Sequence, residues 1–238
     1  MMMQSHKQVS FLIHRKAVAV AAAVALIFVA TAVDAQSAWN ADRYRSVDRA
    51  TFVRLPEANE LIDFDRIDYP LLHAAIFYLT NAEREARGLS PLTHQTSLES
   101  AARVHSEDMR DRNFFSHTSP VPGRRTVRDR TDASGFSGSG VGENIARTFG
   151  ITYEAGRSVF SPLQNDGYFS YTYRGDPIPP HTYLSAAEVV VEQWMKSPGH
   201  RENILRREYR YLGTGAAYFA DRSFFGIPSF FYTQVFGL

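Results

Sequence analysis

The chain contains no cysteine among its 238 residues. That excludes disulfide staples, thiolate nucleophiles and cysteine-ligated zinc. Stability must then come from a packed core, which this length and 44% hydrophobic residues can build. A strong charge of either sign is also missing. The net charge is +1, so no bulk attraction to nucleic acid or to an anionic membrane is expected. There is no Walker pattern, no dinucleotide-type glycine loop after a strand, no Gly-x-Ser-x-Gly elbow and no His-Glu-x-x-His. Repeats of 20–50 residues and heptads are absent too, which excludes solenoids and coiled coils.

Acidic residues are missing from the N-terminus. Residues 1–16 carry Lys7, Arg15 and Lys16, and residues 17–33 are uncharged and almost wholly apolar. Ala30-Thr31-Ala32 and Val33-Asp34-Ala35 place small residues where a signal peptidase cuts. This pattern predicts a signal peptide over residues 1–35 and a secreted or periplasmic protein. The alternative is an N-terminal membrane anchor, because the apolar run is near the lower length limit for a span. The leader holds three of the 26 bases and one of the 25 acids, so the remainder carries a net charge of −1.

Residues 36–68 are mixed and weakly periodic, and read as a linker or an N-terminal extension. The main domain is expected over 69–238. A helix is predicted from about Pro70 to Arg87, ended by Gly88 and Pro91, with Leu72, Ile76 and Leu79 at helical spacing. Asn81 and Arg84 read as a solvated face or as caps for a neighbouring loop. A second helix is expected to start with a capping box of Thr96 and Glu99, and a third with one of Ser185 and Glu188. His105 falls in line with Leu98, Ala101, Ala102 and Met109, which makes it a hydrogen-bonded core residue. Arg124–Arg130 is diluted by Asp129 and reads as a solvated loop or short helix. Residues 134–142 are rich in Gly and Ser and form a loop that delivers Glu143. Residues 148–184 show no helical stripe and form an insertion, able to act as a lid or rim. Strands are expected over Tyr209–Tyr218, Phe224–Gly226 and Phe230–Phe236, with a turn at Ala220–Ser223. Helices first and strands last argue for an α+β fold with an antiparallel sheet.

His117, Glu143 and His200 stand on predicted turns beside hydrophobic elements. Two imidazoles and a carboxylate can hold a divalent metal with an open position, form a general-base relay, or lock loops as a buried network. Their separations of 26 and 57 residues match no short metal motif. Ser116, Ser119 and Ser197 are serines close in sequence to these histidines, but serines before prolines more often serve turns.

Five segments together resemble the CAP superfamily of cysteine-rich secretory proteins, antigen 5 and plant pathogenesis-related proteins (SCP-like domains), in its bacterial branch. They are Leu79-Thr80-Asn81-Ala82-Glu83-Arg84 with Gly88-Leu89-Ser90-Pro91-Leu92, Phe114-Phe115-Ser116-His117-Thr118-Ser119-Pro120, Gly142-Glu143-Asn144-Ile145-Ala146, Trp194 to Leu205, and Tyr232-Thr233-Gln234-Val235-Phe236. The resemblance spans roughly Leu71 to Phe236. It implies an α-β-α sandwich, secretion, and a cleft that holds two His and two Glu in many eukaryotic members. His117 matches the first His and Glu143 the first Glu. The chain departs from the pattern at Ser197, where relatives place Glu, and at Phe231, where they place His. His200 is the bacterial-type replacement, and Glu202 is a weak candidate for the fourth group. Asn144, Trp194 and Gln234 are supporting residues. The resemblance implies a ligand such as a lipid or sterol, or a divalent metal (zinc or magnesium) on His117, His200 and Glu143. Turnover is not general in the family; a metal-assisted hydrolase acting on peptide or cell-wall material is the alternative.

Overall fold

The computed structural model describes residues 39–238; the leader expected over 1–35 lies outside the described residues. Two short helices come first, α1 (Arg43–Ser46) and α2 (Arg49–Phe52). Next come α3 (Tyr69–Glu85), the two-residue strand β1 (Thr93–His94), α4 (Thr96–Asp111), α5 (Val127–Ala133) and β2 (Val141–Phe149). The chain then forms α6 (Tyr183–Lys196), α7 (Pro198–Leu205), β3 (Tyr211–Asp221) and β4 (Ile227–Gly237). Spatial order in the sheet is β1-β3-β4-β2. The three long strands are antiparallel, with Glu143 opposite Val235 and Gly213 opposite Val235 on the other side. β1 runs parallel to β3, so the sheet is mixed rather than purely antiparallel.

β4 is the middle of three long strands and is covered on both faces. Its alternate residues explain both layers. Val235 packs with Leu98 and Ala102, and Phe231 with Met109 and Ile145, all beneath α4. Phe230, Tyr232 and Phe236 face the other way, among Leu72, Ile76, Val190 and Trp194 of α3 and α6. The result is a helix–sheet–helix sandwich, as expected. Gly213 and Gly215 let α4 lie directly on β3: a Cβ there would stand 2.0 Å from the Glu99 nitrogen or 2.3 Å from that of Arg103.

Several local expectations are corrected. No strand was expected over β2, which begins inside the loop expected over 134–142; its Gly142-Glu143-Asn144 start is too polar to advertise a strand, yet it pairs with β4 over its full length. Phe224–Gly226 is a turn, not a strand, with Phe225 left-handed at φ 52 and Gly226 at φ 81. Neither expected capping box forms. Gln95 precedes α4 without a side-chain cap, and Glu99 turns instead to His94 and Tyr44. α6 starts earlier and is capped reciprocally by Thr182 and Ser185. Of the two readings of Asn81 and Arg84, the solvated face fails, since both are buried, and the cap for a neighbouring loop holds. They clamp the turn after α3: Asn81 bonds both the amide and the carbonyl of Leu92, and Arg84 reaches the carbonyls of Ser90, Ile204 and Arg206.

The described part of the N-terminal extension packs onto the core. Trp39, Phe52, Ala58 and Ile62 are buried with Leu72 and Ile76. The stretch between β2 and α6 carries bridges Ile151–Pro180 and Phe160–Ser170. It folds around its own small core of Ile151, Phe169 and Ile178 against Ile227. Among the described residues no helix is long and apolar enough to cross a membrane.

Candidate functional site

β2 is a sheet edge, and its first residues carry the site. Three elements converge there. The turn after α4 brings His117, α5 brings Arg130, and α7 closes from the far side. α7 begins where Ser197 ends α6, with Pro198 at its first turn, so the Pro-Gly pair starts a helix as well as stopping one. His200 therefore stands in a helix, and Glu143 stands on a strand, rather than on the turns expected for them.

Glu143 is the hub. Its side chain is only 3% exposed, and it ties three elements together. Oε1 lies 2.8 Å from His117 Nδ1, and Oε2 accepts from Arg130 Nη2 at 2.5 Å. His105 Nε2 is 3.7 Å from Oε1 and 3.1 Å from the Ser116 carbonyl. Burial raises the Glu143 carboxyl, but the His117 hydrogen bond and the charges of His105 and Arg130 overcome it and hold the group below its usual range. His105 is also lowered, to about 4: burial is the main cause, the Glu143 charge opposes it, and the charges of Arg130 and His117 add to it.

An ionised carboxylate only accepts hydrogen bonds, so His117 must donate its Nδ1–H to Glu143. Its ring is half exposed, and Nε2 bonds no described residue. That tautomer turns the Nε2 lone pair outward. His200 lies near enough that the charge of His117, together with partial burial as the larger cause, lowers its pKa. The outer face of the site thus offers the His117 imidazole backed by a carboxylate, with His200 nearby on α7.

A polar lattice holds this arrangement from behind. Asn144 Nδ2 bonds the His200 carbonyl at 3.0 Å and Gln234 Oε1 at 3.1 Å. Asn203 bonds the Glu143 carbonyl and Asn144 Oδ1. Gln234 continues to Thr80 Oγ1, and Trp194 Nε1 bonds the Ile145 carbonyl. Asn144, Gln234 and Trp194 are fully buried. Each leaves no polar group stranded at the hinge between α6, α7 and β2.

A family model for cysteine-rich secretory proteins (CAP) matches residues 77–236. The chain belongs to that family. This CAP chain is 34% identical over 137 residues to the uncharacterized protein YkwD of Bacillus subtilis (strain 168), covering 58% of this chain and 39% of YkwD. It is 29% identical over 150 residues to the uncharacterized membrane protein YlbC of the same organism, covering 63% of this chain and 32% of YlbC. It therefore spans well under half of either relative. Among solved structures, an extracellular SCP-domain protein from Bacillus anthracis str. Ames superposes with a TM-score of 0.50 and 26% identity. The match covers 75% of this chain and 44% of that one. This CAP domain has none of the cysteines for which the family is named.

Two members of the site escape a reading of the sequence. His105 sits in the apolar stripe of α4, and its partner lies 38 positions downstream on another element, so only its residue type hinted at a role. Arg130 looked like one more surface arginine. It is fully buried, and its guanidinium also bonds the carbonyls of Arg124, Arg125 and His117. Glu202, the weak candidate, is exposed. The nearby serines serve turns: Ser119 Oγ bonds Asp108 and the Val121 amide, and Ser116 Oγ accepts from the Thr118 amide. Among the described residues no hydroxyl bonds the ring of His117 or His200.

Proposed function

We propose that this is an exported CAP protein whose cleft binds a small ligand through His117 and His200, with Glu143 fixing the first of them. The observation that carries this reading is the engagement of both Glu143 oxygens. One holds the Nδ1 side of His117 and the other holds Arg130, so Nε2 of His117 faces outward as an acceptor. Export is supported by the leader and by the extracellular relative from Bacillus anthracis.

A divalent metal fits this donor set in part. A histidine that gives one ring N–H to a carboxylate and turns the other nitrogen outward has the arrangement usual for a metal ligand. His117 and His200 would hold the ion, with Glu143 behind them. Among the described residues, however, no three His, Asp, Glu or Cys side chains are grouped to hold a metal. Two protein ligands make a weaker site than the three of catalytic zinc centres. When bound, such an ion would polarise a ligand oxygen.

Zinc chloride serves as the probe. Calorimetric titration of the protein is expected to show binding that His117→Ala and His200→Ala each weaken at least about tenfold. Equal affinity in all three proteins would place zinc elsewhere and remove the support for a two-histidine cleft. The second reading, hydrolysis of peptide or cell-wall material, draws on the same Nε2 lone pair as a general base. It predicts turnover that His117→Ala abolishes.

A further inference from the structure

We infer that Arg130 sets the charge selectivity of the cleft: its guanidinium stands as a resident cation against Glu143 and disfavours a divalent metal there. This rests on the reading of His117 and His200 as the contact groups. A bare carboxylate behind two imidazoles would add negative charge to the site and draw a divalent cation toward it. Here that charge is already matched. Arg130 and Glu143 meet at 2.5 Å, with side chains 0% and 3% exposed, where solvent screens little.

The guanidinium has nowhere to go. Nη1 is held by the carbonyls of Arg124 and Arg125, and Nη2 by the His117 carbonyl and Glu143. It also ties the main chain at His117 to the carboxylate that orients the His117 ring. With the Glu143 charge matched by Arg130, the inner cleft suits a neutral or anionic ligand group better than a metal ion.

The test compares zinc affinity by calorimetry in four proteins. Arg130→Met removes the charge and keeps the stem, Arg130→Lys keeps the charge, and Thr118→Asp adds a carboxylate on the exposed turn beside His117. Wild type is expected to bind weakly. Arg130→Met should bind roughly tenfold tighter or more, Thr118→Asp should shift the same way by less, and Arg130→Lys should match wild type. Unpaired Glu143 could unfold Arg130→Met, which circular dichroism would reveal; Arg130→Gln, which removes the charge and keeps donors for Glu143 and the surrounding carbonyls, then takes its place and should also bind zinc more tightly than wild type. Zinc affinity unchanged in Arg130→Met and Thr118→Asp would overturn the inference. If zinc is also indifferent to His117→Ala and His200→Ala, the cleft reading fails first. Loss on those two variants without any charge dependence overturns only the role of Arg130.

Discussion

The molecule holds two clusters of similar composition at opposite edges of one sheet, and they are wired differently. At the β2 edge, Glu143 meets His117, buried His105 and Arg130. At the β1 edge, Glu99 meets His94 at 2.6 Å, buried His73 at 3.6 Å and the Tyr44 hydroxyl at 3.2 Å. Each has one carboxylate, one outer histidine and one inner histidine. The difference lies in the fourth group. Arg130 brings a full charge from within the domain, while Tyr44 brings a neutral hydroxyl from the N-terminal extension and stacks on His94 at 3.7 Å. His73 Nε2 accepts the Ala216 amide, which commits its lone pair to the backbone. The β1 cluster therefore reads as a fastening for the extension, and the β2 cluster, with its half-exposed His117, as a site.

The largest expected contrast comes from removing each carboxylate charge. Glu143→Gln leaves Arg130 charged and buried without its counter-ion, which should cost about 3–5 kcal/mol. Glu99→Gln strands no full buried charge and should cost about 1–3 kcal/mol through imperfect hydrogen bonding. Urea unfolding measures both. Equal losses would mean that the two clusters are energetically interchangeable and that Arg130 is not the distinguishing group.

Acid should separate the clusters next. His105 titrates at about 4 in the folded protein against an ordinary 6.5. The unfolded chain therefore binds the extra proton, and stability falls as pH drops from about 6.5 to about 4, by up to about 3 kcal/mol. Burial raises Glu99, but bonds from His73 and His94 outweigh it and hold the carboxyl at about 2 against an ordinary 4.5. Its contribution is present above about 4.5 and lost only between about 4.5 and 2. Unfolding free energies across pH should show two separate declines. His105→Gln should shrink the upper one, to which the lowered His181 and His200 also contribute, and leave the lower; an upper decline insensitive to that change would contradict the assignment.

This ordering also marks how much could be seen in the sequence. His117 and Glu143 stand in segments that resemble the family's motifs, and their side chains meet at 2.8 Å; His200 is tied to the start of β2 through its main-chain carbonyl and Asn144. The layered α+β fold was legible from α3, α4 and α6, whose apolar stripes repeat at helical spacing. β2 was not, because Glu143 on one of its faces and Asn144 on the other stand where a buried strand usually shows aliphatic residues. Arg130 and Glu99 were misread for a related reason. A charged residue on a short helix, or three positions after a threonine, has a common local explanation; its long-range partner is set by strand register and helix packing. Local rules fail at Glu99 because two histidines and a tyrosine outbid the helix terminus for its oxygens.

The smallest prediction isolates the fastening. Tyr44→Phe deletes the hydroxyl that donates to Glu99 and keeps a ring for the stack on His94. Glu99 retains both histidines, so no charge is stranded, and the loss should be about 0.5–1.5 kcal/mol. The variant should bind zinc as wild type does, because the whole sheet separates the two edges. Its effect should instead appear as faster amide exchange confined to the extension, where Trp39 and Phe52 would still anchor it. Altered zinc affinity would show that the two clusters communicate through β3 and β4. In that case the β1 cluster could no longer be treated as a fastening independent of the site.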